Sequence, residues 1–277
     1  MIITGIADMR RYCPAIVIQN DRETFDDAIA VAEDTVENEI LGSSLYEGLE
    51  GQSEDSPLRT KAARAIALQA FYKNIASVDI VLHDTGFGVE NSEAFQAASR
   101  TRVESLKENT RRERDAAFDN LIRTLLESVD NDEWRQTQQY ETLTAGLVAT
   151  LREFRAFAIL TTEATPRMPQ DYEAYVDIRP KMADALWGTI APRTGNDFVQ
   201  AMLAGIKGRS LTPKWQQALV LMKWVVVNKA LGNDALAEMY LARLLALLAS
   251  DPDTFPEYRA PEVTSQEKKD RAVMNFL

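Results

Sequence analysis

Only one stretch of this sequence exchanges helical spacing for alternation, which predicts a helical fold with a single extended interruption. In Val78–Glu90, VDIVLHDTGFGVE, the apolar residues Val78, Ile80 and Leu82 are spaced by two. Asp84-Thr85-Gly86 then supply a turn, and Phe87-Gly88-Val89 resume an extended segment. Alternation on either side of a glycine-bearing turn predicts a β-hairpin.

On both sides of it, apolar residues recur in steps of three and four, the spacing of one helix face. Phe25, Ala28, Ile29, Ala32, Val36 and Ile40 mark a first helix that Gly42 ends. Ser56-Pro57, a capping serine followed by proline at the first helical position, opens an alanine-rich helix from Leu58 to Ser77. Its small residues on several sides predict close packing on more than one face. Beyond the hairpin, Glu93 to Val129 reads as the longest helix, charged in its first half and apolar at Phe118, Leu121, Ile122, Leu125 and Val129. Trp134, Leu143, Leu147, Leu151, Phe154 and Ala158 keep the period of a further helix. Pro180 interrupts a later one.

The expected fold class is therefore all-α, mainly a helical bundle, with one short β-hairpin. Pro166 and Pro169, in a segment without apolar periodicity, place a boundary between two halves. That gives an N-terminal helical domain (1–163, hairpin at 78–90), a C-terminal helical domain (171–250) and an extended tail (251–277). The order Gly195, Phe198 to Ile206, Gly208, Thr212-Pro213 echoes Gly42, Leu45 to Leu49, Gly51, Ser56-Pro57, which suggests a divergent duplication.

Chemistry is mostly excluded. One cysteine, Cys13, and one histidine, His83, supply neither a disulfide framework nor a histidine-type metal site. Asp84 faces away from His83 on an extended strand, so no nucleophilic triad is expected there. Gly86-Phe87-Gly88 has Asn91 where a dinucleotide fingerprint needs its third glycine. Asp130-Asn131-Asp132 begins like a calcium loop, but Arg135 occupies the position that must be glycine. No catalytic set, cofactor, metal or small-molecule substrate is expected. The net charge of -11 argues against nucleic acid as a partner. The most apolar run, Ala218 to Val227, contains Lys223 and falls short of the ~20 residues of a membrane span. Ile2 and Ile3 before Thr4-Gly5 are too short for a signal h-region, so no signal sequence is expected and the expected location is the cytosol.

Between Arg100 and Arg114 there are six basic and three acidic residues, a locally positive stretch on an acidic chain. One reading is a solvated helix with internal pairs such as Glu108 to Arg112. The other is a contact with an acidic face of a neighbouring copy.

The segment LQAFYKNIASVDIVLHDTGFGVENSEAFQAASRTRVESLKENTRRERDAAFDNLI resembles an uncharacterised family of phage and prophage proteins. The likeness lies in the alanine-rich helix Leu68 to Val78, the extended Ile80 to Val89, and the charged helix Arg100 to Ile122. Phe154, Tyr175, Arg179, Pro192, Gly195 and Phe198 resemble the family's C-terminal part. The pattern is similar to head-tail connector (head-completion) proteins of tailed phages. The resemblance implies a virion structural protein of the host cytosol and virion that works by oligomeric assembly and not as an enzyme. Its partners would be further copies in a ring and other phage structural proteins such as portal or tail components. Assembly contacts would come from Ile80, Leu82, His83, Gly86 and Phe87 of the hairpin and from Arg100, Arg111, Arg112 and Arg114 of the helix. Phe276 and Leu277 at the tail tip would add to them. The alternative is a cytosolic helical protein-binding adaptor of a mobile element.

Overall fold

The computed structural model describes residues 1–13, 24–78, 81–83, 86–88, 100–128, 131–162 and 164–260, with the backbone alone at 24, 76–78, 81–83, 86–88 and 100. The described chain is helical and divides into two units. One comprises Met1–Thr144, Ala149–Glu153 and Pro169–Tyr175; the other comprises Ala145–Val148, Phe154–Met168 and Val176–Leu277. The expected single boundary at Thr161–Gln170 is thus one of several crossings, the first of them directly after Thr144.

The first unit is built around α4 (Pro57–Val78), which packs against α1 (Ile6–Tyr12), α2 (Thr24–Val36) and α5 (Arg100–Glu127). From Ala62 to Phe71 every residue of α4 except Arg64 is buried. Alanines at 62, 63, 65, 67 and 70 keep the helix thin, so neighbours approach it on several faces, as the composition predicts. The second half of α5 buries Ala117, Phe118, Leu121, Ile122 and Leu125. Between them, α2 runs into a π-helical turn (Glu37–Leu41), and α3 (Ser43–Glu50) begins after Gly42 at φ 75°, ψ 152°. That backbone region is essentially reserved for glycine. Glu33, buried within α2, accepts hydrogen bonds from the backbone N–H groups of Ile2 (2.6 Å) and Ile3 (3.0 Å) and ties down the first residues.

The extended interruption starts later than the alternation suggests. Val78 is the last residue of α4, and among the described residues of this stretch β1 (Val81–His83) and β2 (Gly86–Gly88) are extended. They pair antiparallel, with Val81 opposite Gly88, Leu82 opposite Phe87 and His83 opposite Gly86. Ile80, Asp84, Thr85, Val89 and Glu90 lie outside the described residues. A two-stranded ladder of three-residue strands adds no sheet layer to a core, and the other elements among the described residues are helical.

The helix expected across 130–158 is broken into pieces. A 3₁₀ turn (Trp134–Gln136) precedes α6 (Gln138–Thr144), and α7 (Leu151–Phe157) follows only after Leu147 at φ 67°. Capping explains the breaks. Thr150 Oγ1 accepts the Glu153 N–H at 3.1 Å, and the Asp119 carboxylate accepts those of Leu151 (3.0 Å) and Arg152 (2.8 Å). The first N–H groups of α7 are thereby satisfied without a preceding helical turn.

The second unit contains most of α8 (Tyr172–Ala185), which continues through Pro180 instead of stopping there. It also holds a π-helical turn (Leu186–Ile190), α9 (Ala191–Thr194), α10 (Asn196–Lys207), α11 (Pro213–Ala230) and α12 (Asp234–Ser250). The last two form a helical hairpin about Met222, Val225, Val226, Leu241, Leu244 and Leu248, with Gly232 at φ 76° in the turn. The start of the expected tail is packed: Phe255 is buried against Trp215 and Phe198. Residues 261–277, including Phe276 and Leu277, lie outside the described residues.

Candidate functional site

The densest concentration of charge inside the first unit gathers around Arg114. In Arg111-Arg112-Glu113-Arg114-Asp115, helical spacing turns Arg111, Arg114 and Asp115 toward α4, while Arg112 and Glu113 face solvent. Arg114 is fully buried. Its Nη1 and Nη2 donate to Oε1 and Oε2 of Glu173 at 2.7 and 2.6 Å, a bidentate fork. Nε and Nη2 donate to Asp115 Oδ1 at 3.0 and 2.7 Å, and Nη1 also reaches Gln69 Oε1 at 3.4 Å. The guanidinium lies over the Tyr72 ring, 4.2 Å from its centre. These contacts tie α4, α5 and the first turn of α8 to one cation.

Arg111 extends the network. It forks onto Glu108 at 2.8 Å, donates to Asp115 Oδ2 at 3.3 Å and donates to the Gln170 carbonyl. Lys73 stands 3.3 Å from Glu173. Burial pushes the Asp115 carboxyl up, against the pull of Arg114 and Arg111. Burial acts the same way on Glu173, but Arg114 overcomes it and holds that carboxyl below its usual value. Half-exposed Glu108 is held at about 2 chiefly by its hydrogen bond to Arg111, with desolvation opposing it and Arg112 adding to the pull.

A guanidinium has five N–H donors, and Arg114 uses all five within the protein. It has nothing left to offer a substrate or a phosphate, so the cluster is a cross-brace. Arg114 is therefore not available to a second chain, which corrects its expected role as an assembly contact. Arg111 is mostly buried in the same network. Arg112 does face solvent, 2.8 Å from Glu108. Arg100, Leu82, His83, Gly86 and Phe87 are placed by their backbones alone.

The Glu108 linkage has a definite sign. A carboxyl lowered in the folded state adds stability above pH about 4.5 and loses it as pH falls toward 2. Solvent screening limits the contribution to about 1 kcal/mol or less. Glu108→Gln is expected to remove that much of the acid-dependent loss, read as a flatter plot of urea midpoint against pH between about 5 and 2. Asp115 works in the opposite sense: with its pKa raised, the folded state gains as pH falls through the raised value.

The start of α5 is solvated instead. From Thr101 to Asn109 no residue is buried, Leu106 is among the exposed ones, and burial begins at Thr110. Cys13 is buried, and its thiol is pushed up to about 12 by desolvation, which leaves it unreactive. Among the described residues no cluster of histidine, cysteine, aspartate or glutamate is arranged to hold a metal, and no helix is long and apolar enough to cross a membrane. Sequence reasoning missed Glu173 and Tyr72. Neither carries a local signal, because each joins Arg114 only through tertiary packing.

Residues 24–144 match the model of a family of unknown function, DUF6712. The match begins at α2 and ends with α6, at the residue after which the chain first leaves the first unit. No curated protein and no solved structure matches the chain.

Proposed function

We propose that this chain is a structural protein of a tailed phage or prophage virion, of the head-tail connector or head-completion type. It acts by assembling with further copies and with portal or tail components, without catalysis. The observation that carries this reading is the solvated start of α5, Thr101–Asn109, which gives no side chain to its own core. Directly upstream in the chain, β1 and β2 form a two-stranded ladder. Among the described residues each strand pairs with the other alone, and the ladder's outer edges would offer backbone groups to a strand from a neighbour.

The likeness of residues 68–122 to phage and prophage proteins supports the same reading. So does the repeated order in the two halves. In both, a π-helical turn leads to a glycine of the same unusual conformation, Gly42 (φ 75°, ψ 152°) and Gly195 (φ 93°, ψ 144°). A short helix ending at Gly51 or Gly208 follows, and then a long proline-started helix, α4 or α11. Duplication gives one subunit two related but different surfaces, which head-to-tail ring contacts require.

The test compares wild type with Leu82→Pro by light scattering and negative-stain microscopy. Proline removes the N–H of a central ladder residue. Wild type is expected to form closed oligomers, and the variant to lose them with its helical circular dichroism unchanged. A wild type that stays monomeric at every concentration and binds one unrelated protein would instead support the adaptor reading.

A further inference from the structure

The negative charge of this chain is concentrated in one place. Residues 24–55 hold ten acidic side chains and not one lysine or arginine, against a net charge of -11 for the whole. Asp26, Asp27 and Asp34 on α2 and Glu47 on α3 are exposed. On α2 an exposed apolar residue, Val31 (57 % exposed), sits between Asp27 and Asp34, one helical turn to either side. The first half of α5 has the opposite character. Residues 100–112 hold five basic and two acidic side chains, and Leu106, 39 % exposed, lies one turn from Arg102 and beside Lys107.

α4 packs against both helices. The acidic face of α2 and the solvated half of α5 lie on different helices of one unit.

We propose that these two surfaces bind one another between copies: the start of α5 in one subunit docks on the α2–α3 face of the next. Val31 and Leu106 form the apolar centre, and Asp27 and Asp34 face Arg102 and Lys107. The inference rests on the self-assembly reading and gives that assembly its contact. Because the two surfaces differ, the contact is head-to-tail and propagates into a ring or a filament. Opposite charge makes it selective and salt-sensitive.

Sedimentation velocity on the full chain tests it with two charge-reversal pairs, Asp27→Lys with Asp34→Lys, and Arg102→Glu with Lys107→Glu. Each pair alone is expected to weaken self-association at least about tenfold, with urea midpoints close to wild type. An equimolar mixture of the two is expected to recover assembly with the variants alternating, because the intact surfaces and the reversed surfaces each meet a complementary one. A chain carrying all four changes should recover assembly, since its surfaces are again complementary. If wild type assembles and either pair leaves that unchanged, or the folded four-fold variant fails to recover, the docking surface is wrong while self-assembly stands. A wild type without self-association at low or high salt removes both. The milder Asp27→Asn with Asp34→Asn should weaken association in the same direction if the lysine pair does not fold.

Discussion

Replacing Arg114 with methionine is expected to destabilise the protein by about 3–5 kcal/mol, the range for removing one partner of a buried ion pair. The cost arises chiefly in what is left behind. Among the described residues Asp115, itself buried, then keeps Arg111 at 3.3 Å and the Tyr172 N–H at 3.4 Å. Glu173 is 43 % exposed and relaxes into water, so it adds little. Changing Asp115 to leucine in the same chain should recover part of the loss, because an apolar pair avoids the uncompensated buried charge. Urea unfolding followed by circular dichroism measures both. A loss of under about 1 kcal/mol for Arg114→Met would mean that the cross-brace carries no more than a surface pair does.

Arg114 also shows where a sequence stops being legible. Arg111 to Asp115 is a run of five consecutive charged residues, and charge at this density ordinarily signals a solvated face. Only the phase of the apolar residues that follow, Ala117, Phe118, Leu121 and Ile122, shows that Arg114 points inward. Its main partner lies 59 residues away, beyond any local pattern. By contrast, α4 was readable because its signals are local: a capping serine, a proline at the first turn, and alanines on several sides. The stretch 130–158 misleads for the opposite reason. Its apolar spacing is regular, while the breaks depend on Thr150 and Asp119 capping α7, and Asp119 acts from another helix.

The solvated start of α5 was legible as charge but not as a surface. Basic composition alone fits an internally paired helix equally well, and Glu108 does pair with both Arg111 and Arg112. Burial separates the two behaviours within one helix. Arg111 and Arg114 are absorbed by the fold, whereas Arg102 and Leu106 are left facing water, and Lys107, also exposed, reaches over the Tyr72 ring at 5.7 Å. Expected contacts therefore move toward the helix N-terminus, away from the residues with the densest charge.

Phe255→Ala is expected to cost about 3–5 kcal/mol, the range for deleting a buried phenylalanine, although 251–277 reads as a proline-punctuated tail. Pro252 and Pro256 do exclude a helix, but they bracket the residue that anchors the segment. Phe255 is 1 % exposed, with its ring centre 5.3 Å from that of Trp215 and 6.2 Å from that of Phe198. Trp215 and Phe198 stack at 5.2 Å, so truncation opens a cavity against two aromatic faces. Backbone bonds hold the segment around it: Trp215 Nε1 donates to the Thr254 carbonyl at 3.1 Å, and the Arg259 N–H to that of Thr194 at 3.0 Å. Thr254 also donates through Oγ1 to Asp251 at 2.8 Å, closing a turn that aims Phe255 inward. Tryptophan fluorescence during urea unfolding should register the loss directly, since Trp215 changes environment when Phe255 is removed. Phe255→Leu should retain much of the stability by filling most of the space. A wild-type midpoint for Phe255→Ala would mean that residues 251–259 are dispensable to the second unit.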